Sequence, residues 1–590
     1  MRKQLSTLVV CLLWSWTAVM AQGGIGMSPN GKISVEVKDQ CVVIQYGQQL
    51  VLEVRTPTDQ GLLFVGKVTA DYQMLTGKRQ HCQNEANEYQ VGKAVLRIYN
   101  DGIALRDADV AYRIPEGTPR WMQQWCDSYE GFFPFATTYK VEPIPSYSGI
   151  SKSAEGWNNR WGYPALIEPQ KGVFTLITEA NIEKGQSASC LYNDGEWFRV
   201  TPAEGITGKT SDHTPWRVVI IGTLKDVVES TLVTDVSKPC RIADTSWIHP
   251  GVVSWVYWAY NHGSNDYDII KKYVDMAATL HLPYVLIDAE WDEMKAPYTI
   301  EDAVNYARSK SVKPLIWYNS SVGWVDGAPT PKFRLNKSED REKEFAWCEK
   351  MGVAGVKIDF FSGDNQKNMD YCIDLLESAA GHHLLVNFHG ATIPRGWQRT
   401  YPNLMSTEGV YGAEWYNNVP TFTDKAACHN ATLPFTRNVI GPMDYTPCTF
   451  SDSQHPHITT NAHELALTVL FESGLQHLAD KPESYFAQPD QVQQFLSELP
   501  SVWDETFLID GYPGRFVILA RRSGHRWYVA GINGLDVPQY FSVSLDFMQN
   551  DQKITAFADS EHSSWDIRTM NKVPREIHLQ PRGGFVWVIE

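Results

Sequence analysis

The sequence predicts a multidomain α/β and β protein, with a central (β/α)8 barrel of TIM type flanked by an N-terminal large β-sandwich and a C-terminal small β-sandwich. Three observations predict it. A chain of 590 residues exceeds what one hydrophobic core supports. Its texture changes twice, from short alternating runs to strand–helix alternation near Ser246, and back to β after Trp503. In the middle section, apolar strands end on Asp288, Asn319, Asp359 and His389. A barrel gathers its functional groups at that C-terminal rim of its strands.

Residues 1–21 read as a secretory signal peptide: Arg2 and Lys3 precede an apolar run, and Val19-Met20-Ala21 offers a small-residue cleavage site. The mature chain then begins near Gln22 and is exported. Cys11 lacks the small residues that precede a lipidated cysteine, so no lipid anchor is expected. No other stretch reaches the roughly 18–20 apolar residues of a membrane span. The formal charge of -16 argues against nucleic-acid or anionic-membrane partners and fits a neutral ligand. Ten cysteines, one of them in the leader, are scattered without a CxxC pair, so neither structural zinc nor a disulfide scaffold is indicated. One or two disulfides fit an oxidising compartment. Twenty-one tryptophans suit a sugar ligand, whose C–H faces stack on indoles, although most will be core mass.

The N-terminal domain is expected over 22–245. The run 32–37 alternates with period two, as more loosely do 42–46 and 94–99, and Pro29-Asn30-Gly31 and Asn100-Asp101-Gly102 punctuate them. Within it, 174–180 reads as a strand with Glu179 near its end, on its own a solvated edge acid.

The barrel is expected over 246–500. Strands at 252–258, 284–288, 314–319, 352–361 and 384–389 alternate with helical runs at 267–280, 300–309, 339–351 and 365–380. Such alternation implies right-handed βα units around a parallel sheet. No GxGxxG or P-loop accompanies them, which disfavours an open nucleotide-binding sheet. The remaining barrel strands are expected at 404–408, 434–441 and 475–478. Runs at 515–520, 526–532 and 584–589 then form a C-terminal domain over 501–590.

The stretch 352–361 is apolar enough to be buried on both faces, and its one acid, Asp359, sits at its C-terminal end. Hydrolysis of a glycosidic bond needs two carboxyl groups, one to protonate the leaving oxygen and one to attack or activate water. Glu408 and Glu414, six apart with glycines between, follow the sixth strand and could fold into the same mouth, one as acid and one as an oxygen ligand for a cation such as Ca2+. Asp288 and Trp291 after the second strand, His389 after the fifth and Trp415 beside Glu414 are candidate sugar contacts. Lys357 lies two residues before Asp359 on the same face, where neighbouring carboxylates would partner it and keep Asp359 ionised.

Residues 399–403, Thr407-Glu408 through Glu414-Trp415, and 433–447 carry a resemblance to glycoside hydrolase family 97 that extends over nearly the whole mature length. That resemblance implies the same three-domain order. Inverting members of the family carry glutamate bases after the third and fifth strands and lack the aspartate of the fourth. Here those positions read Asn319-Ser320 and His389-Gly390, and Asp359 is present. The chain therefore resembles the retaining branch, which implies Asp359 as nucleophile and Glu414 as acid/base, about 5–5.5 Å apart. The resemblance also implies a Ca2+ ion on Glu179, Glu408 and Glu414, with Asn387 or water where an inverting-type ligand coincides with Gly390. It implies release of terminal α-galactose from an oligosaccharide or glycan, with β-L-arabinopyranoside as a variant substrate sharing the ring arrangement, and a periplasmic location. A rival inverting α-glucosidase would need another base in place of Ser320 and Gly390. A catalytically inactive sugar-binding protein would have no need of both Asp359 and Glu414.

Overall fold

The structure, a computed structural model, describes residues 24–590 except 59, 142–158, 204–210, 261–262, 418, 453–455, 546, 549–551 and 561–563. The expected signal peptide lies outside the described residues. The N-terminal unit is a pair of antiparallel sheets of eight and nine strands. Their inner faces are built by alternation: in Ile33–Lys38 the side chains of Ile33 and Val35 go inward, and in Cys41–Tyr46 those of Val42 and Ile44. The nine-stranded sheet runs through Val173–Ala180, buried along its whole length and paired with Trp216–Gly222 over seven residues.

Seven parallel strands form a nearly closed barrel. Gly251–Trp255, Tyr284–Ile287, Lys313–Asn319, Gly355–Asp359, Leu385–Phe388 and Leu404–Thr407 follow one another, and Leu475–Leu478 returns beside the first. The helices between them start and stop where local chemistry dictates. Asp266 caps Tyr267–Thr279, a Thr299/Asp302 capping box opens Ile300–Ser309, Gly352 in the left-handed region (φ 80°) ends Ser338–Met351, and Asn365 caps Gln366–Gly381.

The expected strand at 434–441 is absent. Pro434 has no amide to donate, and the segment folds into short 3-10 turns at Leu433–Phe435 and Arg437–Val439. The buried Arg437 guanidinium bonds the carbonyls of Thr407, Glu408, Gly409, Gly441 and Pro442, so a side chain satisfies backbone that a ladder would otherwise pair. Irregular chain at 443–447 fills the gap: Asp444 N donates to Thr407 O, and Ala479 N to Pro447 O.

The C-terminal unit is a six-stranded antiparallel sheet faced by a two-stranded ribbon. It docks on the barrel through the helix Asn461–Leu470. A Cβ at Gly584 would lie 2.6 Å from His463 Cα, so only glycine permits this approach. The cysteines at 41, 82, 126, 190, 240, 348, 372, 428 and 448 are all free thiols. No helix among the described residues is long and apolar enough to cross a membrane.

Candidate active site

The site follows from alternation on adjacent strands. Trp317 is opposite Lys357, which is opposite Asn387, and Asn319 is opposite Asp359. Trp317, Lys357, Asp359 and Asn387 are all buried polar or aromatic side chains carried by lumen-facing positions.

Asp359 ends the fourth strand. Its Oδ2 accepts from the Trp317 indole at 3.1 Å and its Oδ1 from the Phe360 amide at 2.8 Å. Phe360 adopts a left-handed conformation (φ 64°), rare for a bulky residue. Burial pushes the Asp359 carboxyl above its ordinary range and Glu414 adds to this, while Lys357, His389 and the Trp317 bond pull it down.

Lys357 Nζ lies 3.1 Å from Asp288 Oδ2, which also accepts from the Trp255 indole at 2.8 Å. The Ala289 amide donates to Asp288 Oδ1 at 2.8 Å. Burial disfavours the charge on Lys357, yet Asp288, Asp359, Glu414 and Asp444 together raise its pKa and keep it protonated. Burial likewise opposes charge on Asp288, but Lys357 and the two hydrogen-bond donors outweigh it and hold the carboxyl below its usual range.

Asp444 is a second buried anion. Its Oδ2 receives His389 Nε2 at 2.8 Å and Asn387 Nδ2 at 2.6 Å, with His477 Nδ1 at 2.9 Å. Against the burial cost, His477 and His389 keep it ionised, well below the carboxylate range. The bond to Asp444 fixes one ring nitrogen of His389 and leaves Nδ1 facing Glu408 Oε2 at 3.4 Å.

Ligand atoms of His389, Glu408 and Glu414 all lie within 4.8 Å of one another. Glu414 is half-buried in the short 3-10 turn Ala413–Asn417, and the Gly390 amide donates to Glu408 Oε2 at 2.6 Å. Glu130, from a turn of the N-terminal unit, joins them: its Oε1 accepts from the Trp415 indole at 2.9 Å. Burial raises the Glu130 carboxyl well above its ordinary range, as does Glu414. Glu408 is raised in the same direction by burial, Glu130 and Glu414. No Lys or Arg pairs with Glu130, Glu408 or Glu414 among the described residues. Crowded carboxylates without a cationic partner, supplying hard oxygen donors, fit a divalent cation.

The structure brings Asp359, Lys357, Asp288, His389, Glu408 and Glu414 to one mouth, with Trp415 at its edge holding Glu130. It leaves Glu179 out of the acidic group. Glu179 accepts from Arg395 Nε at 2.7 Å and Ser189 N at 2.9 Å, and pairs with Arg217, so its oxygens are saturated in the interior. Asn387 donates its amide nitrogen to Asp444, which leaves its buried Oδ1, the atom that would ligate a cation, without a hydrogen-bond partner. Trp291 is also misplaced by the sequence reading: it stacks on Trp347 and donates to Trp317 O, outside the lumen. Trp255 and Trp317 are the strand tryptophans that reach Asp288 and Asp359, as Trp415 reaches Glu130 from its turn. The signal for the two strand residues was available, because each is a large donor near the end of a barrel strand. For Glu130 no sequence signal exists, since nothing in 126–133 marks it as a neighbour of residues nearly 300 positions away.

Comparison with known proteins matches all three units to one family. The family description "Glycosyl-hydrolase 97 N-terminal" matches residues 27–239, "Glycoside hydrolase 97" matches 247–410, and "Glycosyl-hydrolase 97 C-terminal, oligomerisation" matches 502–590. A Streptomyces bingchenggensis protein named "Probable retaining alpha-galactosidase" is 36% identical over 468 residues, spanning 74% of this chain and 67% of the relative. The "Retaining alpha-galactosidase" of Bacteroides thetaiotaomicron is 31% identical over 416 residues, 64% of this chain and 60% of the relative. A solved β-arabinopyranosidase shares the fold with a TM-score of 0.85 and 26% identity, over 96% of this chain and 100% of the other. The chain belongs to glycoside hydrolase family 97, as a glycoside hydrolase similar to its retaining α-galactosidases.

Proposed function

We propose that this enzyme removes terminal α-galactose from oligosaccharides by double displacement, with Asp359 as nucleophile and Glu414 as acid/base. The observation that carries this reading is the setting of Asp359: a carboxylate at the end of a barrel strand, aimed by Trp317 and the Phe360 amide and facing both Lys357 and Glu414. In the first step Asp359 bonds to the anomeric carbon as the glycosidic C–O bond breaks and Glu414 protonates the departing oxygen. In the second, Glu414 takes a proton from water, the water oxygen bonds to the same carbon, and Asp359 is released. Burial raises the Glu414 carboxyl above its ordinary range, although Lys357 and Glu408 pull it down, and a raised carboxyl is the kind that serves as a general acid. The inverting positions offer no base: Ser320 donates its hydroxyl to Phe360 O, and residue 390 is glycine.

Asp288 and Lys357 are the residues we assign to the sugar hydroxyls, a charged acceptor and donor side by side. Glu130, Glu408 and Glu414 would hold Ca2+, with His389 beside them. The bound ion would offset their mutual repulsion and fix the acid/base. The β-arabinopyranosidase of the same fold supports a second substrate, β-L-arabinopyranoside. The basic and apolar leader in 1–21 supports export to the periplasm.

Asp359→Ala tests the assignment. It should abolish turnover of natural galactosides, while azide should restore cleavage of an activated aryl α-galactoside and yield a β-galactosyl azide. Retention of most of the activity without azide would overturn the nucleophile role.

A further inference from the structure

The N-terminal sandwich carries a second cavity, of about 610 Å3, on the outer face of its eight-stranded sheet. Register explains it. Across the neighbouring strands Ser189–Asp194, Trp197–Pro202, Ala111–Arg113 and Gln49–Arg55, one row reads Tyr192, Arg199, Ala111, Arg55. Alanine between two long side chains leaves a trough two strand spacings wide, roughly 10 Å from root to root. Tyr192 walls one side with 38% of its surface exposed, and Arg55 lies flat over the Trp197 ring at 3.7 Å. Asp109 and Asp194 also line the cavity.

The charges in this trough differ from those in the next row. There Arg113 is neutralised by Glu53 at 2.6 Å and Glu196 at 3.3 Å. Among the described residues Arg55, Arg199, Asp109 and Asp194 form no ion pair, although all are exposed. Two guanidinium groups that lie over rings (Arg55 on Trp197 at 3.7 Å, Arg199 toward Tyr192 at 5.8 Å) but pair with no acid, and two carboxylates that pair with no base, suit a neutral, hydroxyl-rich ligand. Sugar hydroxyls donate to carboxylates and accept from guanidinium groups, and a pyranose C–H face covers a tyrosine ring. A phosphate would meet Asp109 and Asp194, and an apolar ligand would strand all four charges.

We infer that this trough is a non-catalytic binding site for a pyranose of a glycan chain. None of its residues belongs to the barrel or to the turn that carries Glu130, so the site stands apart from the hydrolytic centre. It holds polysaccharide on the enzyme while the barrel works on chain ends.

Affinity electrophoresis of the full chain in native gels containing galactomannan or arabinogalactan tests this, using Asp359→Ala so that the polysaccharide survives. The Asp359→Ala protein should be retarded by at least one of them, and adding Tyr192→Ala and Arg199→Ala should weaken the retardation at least tenfold. On the active enzyme the same two substitutions should leave hydrolysis of an aryl α-galactoside within twofold of the parent. Absence of retardation by both polysaccharides, or retardation that survives the two substitutions, would overturn the site. A large loss of aryl-galactoside hydrolysis would overturn its separateness from the barrel. Failure of the unsubstituted enzyme to cleave the aryl galactoside would bear on the barrel chemistry alone.

Discussion

Trp317 shows how one neighbour biases the proposed nucleophile toward its ionised form. Its indole donates to Asp359 Oδ2 and so favours the ionised form that must attack. Trp317→Phe removes the donor and keeps most of the ring, so the Asp359 pKa rises. Because kcat/KM requires ionised Asp359, its acid limb should move to higher pH, as read from a pH profile with an aryl galactoside. A limb that stays in place or moves down would show that the bond does not tune the nucleophile. At this scale the sequence was informative where strand period decides direction: Lys357 and Asp359 could be placed in the lumen from their spacing alone. It misled for Trp291, which follows its strand after a left-handed Glu290 (φ 69°) that turns the chain outward.

At the scale of elements, the turn bearing Glu130 is held by a buried network. Tyr129 OH donates to Asp364 Oδ2 at 2.5 Å, and Arg395 Nη2 reaches that same oxygen at 2.7 Å and Tyr129 OH at 2.8 Å, while its Nε pairs with Glu179. The glutamate read from sequence as a metal ligand thus works one layer back, anchoring the arginine that positions the turn. Arg395→Met would leave Glu179 and Asp364 with a missing partner in the interior, at a cost of about 3–5 kcal/mol. The melting temperature should fall, and calcium affinity measured by calorimetry should fall with it, since Glu130 loses its support. An unchanged calcium affinity in a folded Arg395→Met protein would separate Glu130 from the acidic group. Helix ends were legible because caps are local chemistry, as at Asp266 and Thr299. The segment 434–441 was misread because its apolar spacing suits a strand, while Arg437 bonds the three distant carbonyls of Thr407, Glu408 and Gly409, which no local pattern reveals.

For the whole molecule, the three units share interfaces that contain neutral histidines. His429 donates its Nε2–H to Tyr411 O at 2.9 Å and packs on Phe132 of the N-terminal unit. His463 sits under the C-terminal strand at Gly584. Burial lowers His429 to about 4 and His463 to about 3. Both are depressed below the unfolded value of about 6.5, so their full contribution to stability is present above that pH and is lost as pH falls toward the folded values. Each should remove about 1.4 kcal/mol per pH unit through that window. Denaturant unfolding at about pH 7 and pH 5 should show the loss, and His429→Asn should shrink it. An equal loss in the variant would mean that this histidine is not buried neutral. The three-unit order was legible in the texture of the chain, whereas the joining of the N-terminal turn to the barrel mouth was not, because contacts between distant segments leave no periodic trace.

The central claim is that Asp359 forms a glycosyl-enzyme which Glu414 then helps water to open. Proton NMR of the anomeric signal, in the first minutes of hydrolysis of p-nitrophenyl α-D-galactopyranoside, tests it most directly. Two inversions return the starting configuration, so α-galactose should appear first and mutarotate slowly to the β form. If β-galactose appears first, a single displacement by water is at work and Asp359 is not the nucleophile.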